Sequence, residues 1–303
     1  MGLMPSHIRM FIKMQKKHQF SGAACVLGNQ EVWATPETLE KYCKEAGFKC
    51  KKPASIHGHT SRLFEGDPDL SRISKDFIHA RTFFEVMGFD DYVDVDNFEY
   101  DQPALLHDMN SPVPEEVVDK FDLVLDGGTV EHIFDIKQVM GNMVRMTRVD
   151  GCVMHLASYD MDHGFYALSP CFLYDYYRSN GFSDFSCYIM ATDYSNVLED
   201  FDKKRPYFEY EYGMDLSCLL STSSSWLIFF TARKVESMPE LRIPTQGMFE
   251  PTDGKSLRQS QSSFRNYIPG WLQPLLVPVR PWLRKLNRTI RCWKMRRAML
   301  KAI

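Results

Sequence analysis

The residues with the clearest chemical content lie between positions 121 and 132, where an apolar run leads into a polar segment. The run ends at Asp126, and its composition is typical of a buried parallel strand. Gly127 and Gly128 follow, and they allow the backbone to turn tightly and to approach a ligand. Glu131 and His132 lie three and four residues after Gly128, just beyond the carboxyl end of the strand. Since open α/β sheets bind ligands at that edge, we predict a binding site there.

Metal-ligating residue types occur in two further places. Asp160 and Asp162 precede His163 in a predicted loop and could hold a divalent cation, but their spacing is not diagnostic. A second group combines thiols with imidazoles, namely Cys43, Cys50, His57 and His59. Six residues, six residues and one residue separate its members, which matches no common pattern of structural zinc sites. We therefore predict no metal.

Apolar runs alternate with helix signals along most of the chain. Seven short runs are predicted as strands, at 23–28, 92–96, 104–108, 121–126, 151–158, 185–191 and 226–232. Helical spacing, or a capping residue followed by proline, predicts helices at 35–47, 70–87, 134–146 and 169–181. The alternation predicts an α/β fold with a doubly wound, mostly parallel, Rossmann-like sheet and helices on both faces.

Two long segments interrupt this pattern. Residues 49–70 are rich in Lys, His, Gly and Pro, and they are predicted to form an irregular insertion. Residues 192–223 are acidic and rich in tyrosine. A connection of that length in a compact domain is usually functional, so we predict a lid or a substrate loop.

The composition is that of a folded domain in a reducing compartment. A length of 303 residues with 44% apolar content allows one large domain or two small ones with a substantial core. Eight cysteines are scattered, several of them in apolar runs, and are expected to be small buried hydrophobic residues. Residues 1–20 lack the apolar core of a secretory signal, so we expect a cytoplasmic protein. No apolar run reaches the ~18 residues of a membrane span.

The C-terminal tail has a charge opposite to that of the rest of the chain. Residues 265–303 contain ten Lys or Arg and no Asp or Glu, whereas 1–264 contain 26 basic and 39 acidic residues. Four prolines make residues 265–281 an extended connector, and apolar residues at helical spacing follow. A basic amphipathic helix with tryptophan fits an anionic membrane surface, although it could instead dock on the acidic body. Nucleic acid is not an expected partner.

The order of these elements resembles a known family. Acids end the second and third predicted strands, and the fourth leads into the sequence Asp-Gly-Gly-Thr-Val-Glu-His at 126–132. Together they resemble the class I S-adenosylmethionine-dependent methyltransferases. The run 151–181, with its His-Gly-Phe-Tyr segment at 163–166, is similar to a subgroup associated with bacterial polysaccharide and glycan gene clusters. The resemblance covers roughly residues 20–235, and it implies a seven-stranded methyltransferase sheet with a C-terminal helical tail.

The resemblance implies that the cofactor is S-adenosylmethionine and that it lies along one edge of the sheet. The implied cofactor-binding residues are Gly28, Asp96, Asp108, Met109, Asp126, Gly127 and Gly128. Asp96 would accept hydrogen bonds from the ribose hydroxyls, and Asp108 would face the adenine amino group with Met109 near the ring. Asp126 and the two glycines would line the methionine end. Alternatively, these acids and glycines form ordinary turns at strand ends.

Methyl transfer to a hydroxyl needs a group that removes the hydroxyl proton as the new bond forms. Histidine suits this task because its ordinary pKa lies near neutrality. The candidates are His132, His163 and, less favoured, His155. His163 lies in the loop after the fifth predicted strand, and Tyr166 in the same loop could orient the acceptor. Each of these side chains could instead be structural.

The leading hypothesis is a methyltransferase that acts on a sugar or glycan hydroxyl. Residues 1–235 would be the catalytic domain, 236–281 a proline-containing linker, and 282–303 a basic helix at the inner face of the membrane. The competing hypothesis is a degenerate, non-catalytic relative that serves as a scaffold or a glycan-binding partner. It is motivated by Gly28, the single glycine after the first strand, where the family has several. A third hypothesis is methylation of another small molecule or of a protein side chain.

Overall fold

A computed structural model describes residues 2–53, 55–56, 58–59, 77–99, 102–159, 163–192, 204–214 and 225–249 of the chain. The helices are α1 Pro5–His18, α2 Pro36–Ala46, α3 Ala80–Met87, α4 Ile136–Met146 and α5 Pro170–Ser179. The strands are β1 Gly2–Leu3, β2 Gly22–Leu27, β3 Glu31–Val32, β4 Gly58–His59, β5 Phe77–Ile78, β6 Phe89–Asp96, β7 Leu105–Leu106, β8 Phe121–Asp126, β9 Thr147–Ser158, β10 Phe182–Thr192, β11 Tyr207–Glu209 and β12 Ser225–Lys234. Short 3₁₀ turns are formed by Glu115–Val117, Val130–His132 and Gly247–Phe249.

The central sheet has eight strands in the order β11-β10-β12-β9-β8-β2-β6-β7. Strands β7, β6, β2, β8 and β9 are parallel, and β12 lies antiparallel between β9 and β10. The chain leaves β2 toward β6 and β7, and then returns to β8 on the other side of β2. A topological switch point therefore lies between β2 and β8, where Leu27 pairs with Asp126. The carboxyl ends of strands at such a point are the expected ligand site.

Helices cover both faces of the sheet because side chains alternate between the faces along each strand. Val26 of β2 packs into one core, which also contains buried residues of α1, α2 and α3. The adjacent Leu27 packs into the other core, together with residues of α4 and α5. The helix starts have the predicted caps: Thr35 Oγ1 accepts a hydrogen bond from the N–H of Thr38, and Ser169 Oγ accepts one from a backbone N–H of α5.

The predicted α/β fold with a doubly wound, mostly parallel sheet is confirmed. The described chain nevertheless adds an eighth strand, β11, inside the segment 192–223 that we predicted to be a loop. Helix α1 was not predicted at all. The helix predicted at 70–87 is shorter than expected, because Phe77 lies in β5 and α3 begins only at Ala80. Residues 60–76 lie outside the described part of the chain.

The cysteines depart from expectation at one place. Cys43, in α2, and Cys50 form a disulfide, whereas we expected buried free thiols or, as an alternative, zinc ligands. Cys25, Cys152 and Cys187 are buried and free, as predicted. Of the two histidines in the discounted zinc group, one lies outside the described residues and the side chain of the other is not described.

The segment after residue 235 begins as a packed part of the domain and not as a free linker. Asn180, at the end of α5, accepts a hydrogen bond from the backbone N–H of Arg242 and donates one to its carbonyl. The remainder of the predicted linker and the whole basic helix, residues 250–303, lie outside the described chain, so that part of the domain organisation stays a prediction. Among the described residues, no helix combines the length and the apolarity needed to cross a bilayer.

The buried His7 of α1 makes stability depend on pH. Burial lowers the pKa of its imidazole from 6.5 to about 4. Because the unfolded chain takes up this proton first as the pH falls, folding stability should be lost between these two values. From about pH 7.5 to about pH 5 the loss is about 2 kcal/mol by linkage. Denaturant unfolding should show this slope in the wild type and a smaller one in His7→Gln; equal slopes in the two proteins would contradict it.

Candidate functional site

Asp126, the last residue of β8, is fully buried, and neighbouring groups use both of its carboxylate oxygens. Its Oδ1 accepts hydrogen bonds from three successive backbone N–H groups, those of Gly128, Thr129 and Val130, at 3.1, 2.8 and 3.1 Å. Its Oδ2 lies 2.8 Å from Nδ1 of His155 on β9. The carboxylate therefore fixes the turn after β8 and ties it to the neighbouring strand.

His155 extends this network into the helices behind the sheet. Its Nε2 lies 2.6 Å from the hydroxyl of Tyr177 in α5. Because His155 is fully buried with both ring nitrogens in use, it cannot serve as the general base. The same contacts argue against the role predicted for Asp126, because its carboxylate is fully buried and both of its oxygens are bound within the protein.

The glycines at the switch point have identifiable roles. Gly28 has φ +73°, a left-handed conformation that favours glycine, and its N–H donates to the carbonyl of Val95 at 2.8 Å. A Cβ on Gly127 would lie 2.5 Å from Oε1 of Gln30, so the absence of a side chain at 127 makes room for Gln30. The buried Gln30 donates through Nε2 to the carbonyl of Leu27 at 3.2 Å, and its Oε1 has no hydrogen-bond partner among the described residues.

Asp96 ends β6 next to the Gly28 turn, as the sequence predicts. Its Oδ2 accepts a hydrogen bond from the N–H of Asn29 at 3.2 Å, and its Oδ1 accepts one from the N–H of Phe98 at 3.0 Å. The side chain is half-buried, and each carboxylate oxygen can accept a further hydrogen bond. Asp96 therefore remains available to a ligand at this edge.

Asp108 and Met109 do not share the environment of Asp96. Asp108 is exposed, and its Oδ1 accepts hydrogen bonds from the backbone N–H and the side-chain amide of Asn110. These contacts form the Asx-turn that was the alternative interpretation, and the bond from the Asn110 N–H holds the pKa of Asp108 below its usual range. Met109 is 5% exposed, and its carbonyl is bound by Asn142 of α4. Contacts of either residue with an adenine ring stay a prediction.

Three side chains converge beyond the carboxyl ends of β8 and β9: Glu131, His132 and His163. One ligand atom from each lies within 4.8 Å of the others. Nε2 of His163 lies 3.9 Å from Oε1 of Glu131, and the two imidazole rings are edge-to-face with centroids 4.8 Å apart. Gly164 permits this approach, since a Cβ there would lie 2.6 Å from the carbonyl oxygen of Glu131.

The carboxyl group of Glu131 has an unusual electrostatic environment in this cluster. Glu131 is fully buried, and neither carboxylate oxygen has a hydrogen-bond partner of good geometry among the described residues. Burial, followed by the charge of Asp126, raises the pKa of Glu131 to about 8, although nearby backbone N–H groups offset part of the effect. Partial desolvation, followed by the charge of the neighbouring His163, lowers the pKa of His132. Within the described chain, the cluster therefore places a buried acid without a good hydrogen-bond partner next to two imidazoles.

Exposed aromatic rings border the cluster. Phe134 and Phe165 are 72% and 64% exposed, and their rings meet edge-to-face with centroids 5.7 Å apart. The hydroxyl of Tyr166 donates to the carbonyl of Phe134 at 2.7 Å, so this side chain joins the two loops. The role predicted for Tyr166, orienting the acceptor through its hydroxyl, would require this bond to open. Residues 160–162, which include the two aspartates of the alternative metal site, lie outside the described chain.

Sequence reasoning identified part of this arrangement. It brought His132 and His163 to the same edge, and the structure shows their rings in contact. It did not give a role to Glu131, to Gln30 or to the exposed pair Phe134 and Phe165. For Glu131 the sequence did contain a signal, because this residue directly precedes the candidate base His132. No local pattern marks Gln30, whose burial depends on a glycine almost one hundred residues away.

No protein-family model matches the sequence, and no curated protein matches it. Among solved structures, it is similar to a SAM-dependent methyltransferase of Thermotoga maritima with 12% identity and a TM-score of 0.31, covering 76% of this chain and 99% of that one. The chain is also similar to the N-methyltransferase NodS of Bradyrhizobium japonicum, with 9% identity and a TM-score of 0.31. This match covers 75% of this chain and 94% of that one. Phosphoethanolamine N-methyltransferase 2 of Haemonchus contortus, solved with S-adenosylhomocysteine, gives 12% identity and a TM-score of 0.34, over 75% of this chain and about half, 52%, of that one. At these TM-scores the strand order described above, and not the superpositions, supports the fold.

The Asp126 network gives a prediction about stability. In Asp126→Ala, three backbone N–H groups and His155 lose their partner inside the protein, which should cost about 3 kcal/mol or more. The matched control is Asp108→Ala, which removes an exposed carboxylate with two local hydrogen bonds and should cost under about 1 kcal/mol. Denaturant unfolding of both variants measures the difference. A loss for Asp126→Ala no larger than that for Asp108→Ala would contradict the assigned role.

Proposed function

We propose that the protein is an S-adenosylmethionine-dependent methyltransferase that transfers a methyl group to a sugar or glycan hydroxyl. The observation that supports this proposal most is the set of side chains at the edge of the sheet where β2 and β8 end, which contains the switch point. A half-buried carboxylate, Asp96, lies next to a left-handed glycine, Gly28, on the β2–β6 side. The Glu131, His132 and His163 cluster follows β8 and β9 at the same edge. One end can bind a donor, and the other can act on an acceptor.

The side chains at this edge fit the cofactor with one change from the expected pattern. Asp96 can accept the hydrogen bonds of two ribose hydroxyls, as the resemblance implies. Since the interior uses both oxygens of Asp126, a different acceptor is needed for the ammonium of the methionine end. Gln30 offers one, because its buried Oε1 has no partner among the described residues. When bound, the cofactor supplies an electrophilic methyl group on a sulfonium.

The acceptor end has the chemistry of a carbohydrate site. The exposed rings of Phe134 and Phe165 can pack against the apolar C–H face of a sugar. The neighbouring cluster can then remove the proton from a hydroxyl held in line with the methyl group. His163 is the first candidate because its Nε2 has no hydrogen-bond partner among the described residues and Glu131 lies 3.9 Å away.

The competing function is a non-catalytic binding or scaffold protein of the same fold. One observation favours it: Gln30 fills the space above Gly127 at the switch point. If that side chain cannot move, it would block part of the donor site. Binding of the cofactor product distinguishes these two functions, and turnover on sugar acceptors tests the hydroxyl against other methyl acceptors.

Cofactor binding should depend on Asp96. Calorimetry with S-adenosylhomocysteine should show binding to the wild type and an affinity about 10- to 100-fold lower for Asp96→Asn, because charged hydrogen bonds to the ribose are lost. The matched control is Asp90→Asn, an exposed acid at the other end of the same strand, which pairs with Lys51 and should bind normally. No binding by the wild type would support the scaffold function.

Turnover should depend on His163. With a panel of sugar and nucleotide-sugar acceptors and a radiolabelled methyl donor, His163→Ala should lose about 100-fold or more of the activity while keeping its affinity for S-adenosylhomocysteine. The affinity is retained because His163 lies at the acceptor end of the edge. Full activity in His163→Ala would remove this residue from the reaction.

A further inference from the structure

We propose that Glu131, His132 and His163 bind one divalent transition-metal ion. The binding is independent of the proposed function, but the chemical role suggested for the ion rests on it. The first reason is the identity of the donors: two imidazoles and one carboxylate approach each other within 4.8 Å. Two histidines with one carboxylate are an established ligand set for zinc and for iron(II), and they leave coordination positions open for water or substrate.

The second reason is the state of Glu131. A fully buried carboxylate with no good hydrogen bond to either oxygen is costly to keep, and such groups are normally paired or bound to a metal. The described chain offers no Lys or Arg partner to Glu131, and the contact at 3.9 Å is to His163. A second buried carboxylate, Asp126, adds to the local negative charge. A divalent cation would replace the proton of Glu131 and balance the charge of its carboxylate.

The third reason is that the backbone around the cluster is built for close approach. The N–H of Phe165 donates to the carbonyl of Glu131 at 2.7 Å, and Gly164 lies against the same peptide group with φ +72°. The loop that carries His163 is therefore fixed directly over Glu131. His132 follows Glu131 in the same 3₁₀ turn. The first residue of this turn, Val130, donates its N–H to the carboxylate of Asp126.

The geometry needs only a small adjustment. Bonds of about 2.0–2.2 Å place two ligand atoms of one ion roughly 3 to 4 Å apart. The pair Glu131 and His163 already meets this distance at 3.9 Å. His132 is exposed and His163 half-buried, so both imidazoles have room to turn toward a common point.

An ion at this place would change how the acceptor hydroxyl is activated. A hydroxyl bound at an open position would lose its proton to water more easily, and the resulting oxygen would attack the methyl carbon as the carbon–sulfur bond breaks toward sulfur. His163 would then be a ligand and not the base, since its Nε2 cannot bind a metal and a proton together. The loss of turnover expected for His163→Ala holds in either case.

Metal binding to the full-length protein tests the proposal without any acceptor. Chelator-treated protein should bind one Zn²⁺ per chain in calorimetry, and Co²⁺ should give visible d–d absorption from a site with nitrogen and oxygen ligands. Glu131→Gln and His163→Ala should each weaken Zn²⁺ binding about tenfold or more. The matched control, His107→Ala, removes an imidazole next to the Asp108 turn and should bind as the wild type does.

Gly164→Ala provides a second variant that leaves all three ligands in place. Its side chain would push the His163 loop away from Glu131, so it should also weaken Zn²⁺ binding. No saturable binding by the wild type, or unchanged affinity in both Glu131→Gln and His163→Ala, would overturn the proposal. If the protein binds Zn²⁺ but not S-adenosylhomocysteine, the metal site is supported and only the proposed function is contradicted. If it binds S-adenosylhomocysteine but not Zn²⁺, only the metal site is contradicted.

Discussion

The buried carboxylate of Asp126 is the constraint on which the candidate site depends. Four groups bind it, three of them consecutive N–H groups of the turn that follows β8. A charge-assisted network of this kind is rigid, because leaving any member unpaired in the interior is costly. It fixes the direction in which the chain leaves the sheet, and therefore the place where Glu131 and His132 emerge. His155 extends the same constraint to β9, whose following loop carries His163.

The part of this arrangement that the sequence predicts is the part with a local cause. Thr35 and Ser169 cap their helices, and Gly28 and Gly128 allow the left-handed turns that follow β2 and β8. The strands were found because both of their faces are buried. The helix α1 was missed, since His7 and Gln15 interrupt its apolar pattern, although both are buried in the folded protein.

What the sequence could not predict depends on distant contacts. An aspartate at a strand end is equally compatible with binding a ligand and with hydrogen bonding inside the protein. At Asp126, the position of His155 decides for the internal hydrogen bonds. The same uncertainty applied to Asp108, where Asn110 decides for a turn. Among the described residues Glu131 has no hydrogen-bond partner of good geometry, and this too is a property of packing with no signature in the local sequence.

These contacts also explain how one edge can hold two chemically different halves. Near Asp96 and Gly28 the polar group is one half-buried acid, which accepts hydrogen bonds from two backbone N–H groups and which we propose as the ribose-binding group. Around Glu131 and His163 the groups are a buried acid and two imidazoles, bordered by exposed rings. Gln30 lies in the first half next to Gly127, and its Oε1 has no hydrogen-bond partner within the described part of the chain.

The most direct test of this account is a crystal structure of the protein grown with S-adenosylhomocysteine and Zn²⁺. We expect the ribose hydroxyls against Asp96, the amino-acid end near Gln30, the sulfur directed toward the acceptor half of the edge, and anomalous density between Glu131 and His163. A ligand bound elsewhere on the molecule, with Asp96 and Glu131 both free of contacts, would contradict it.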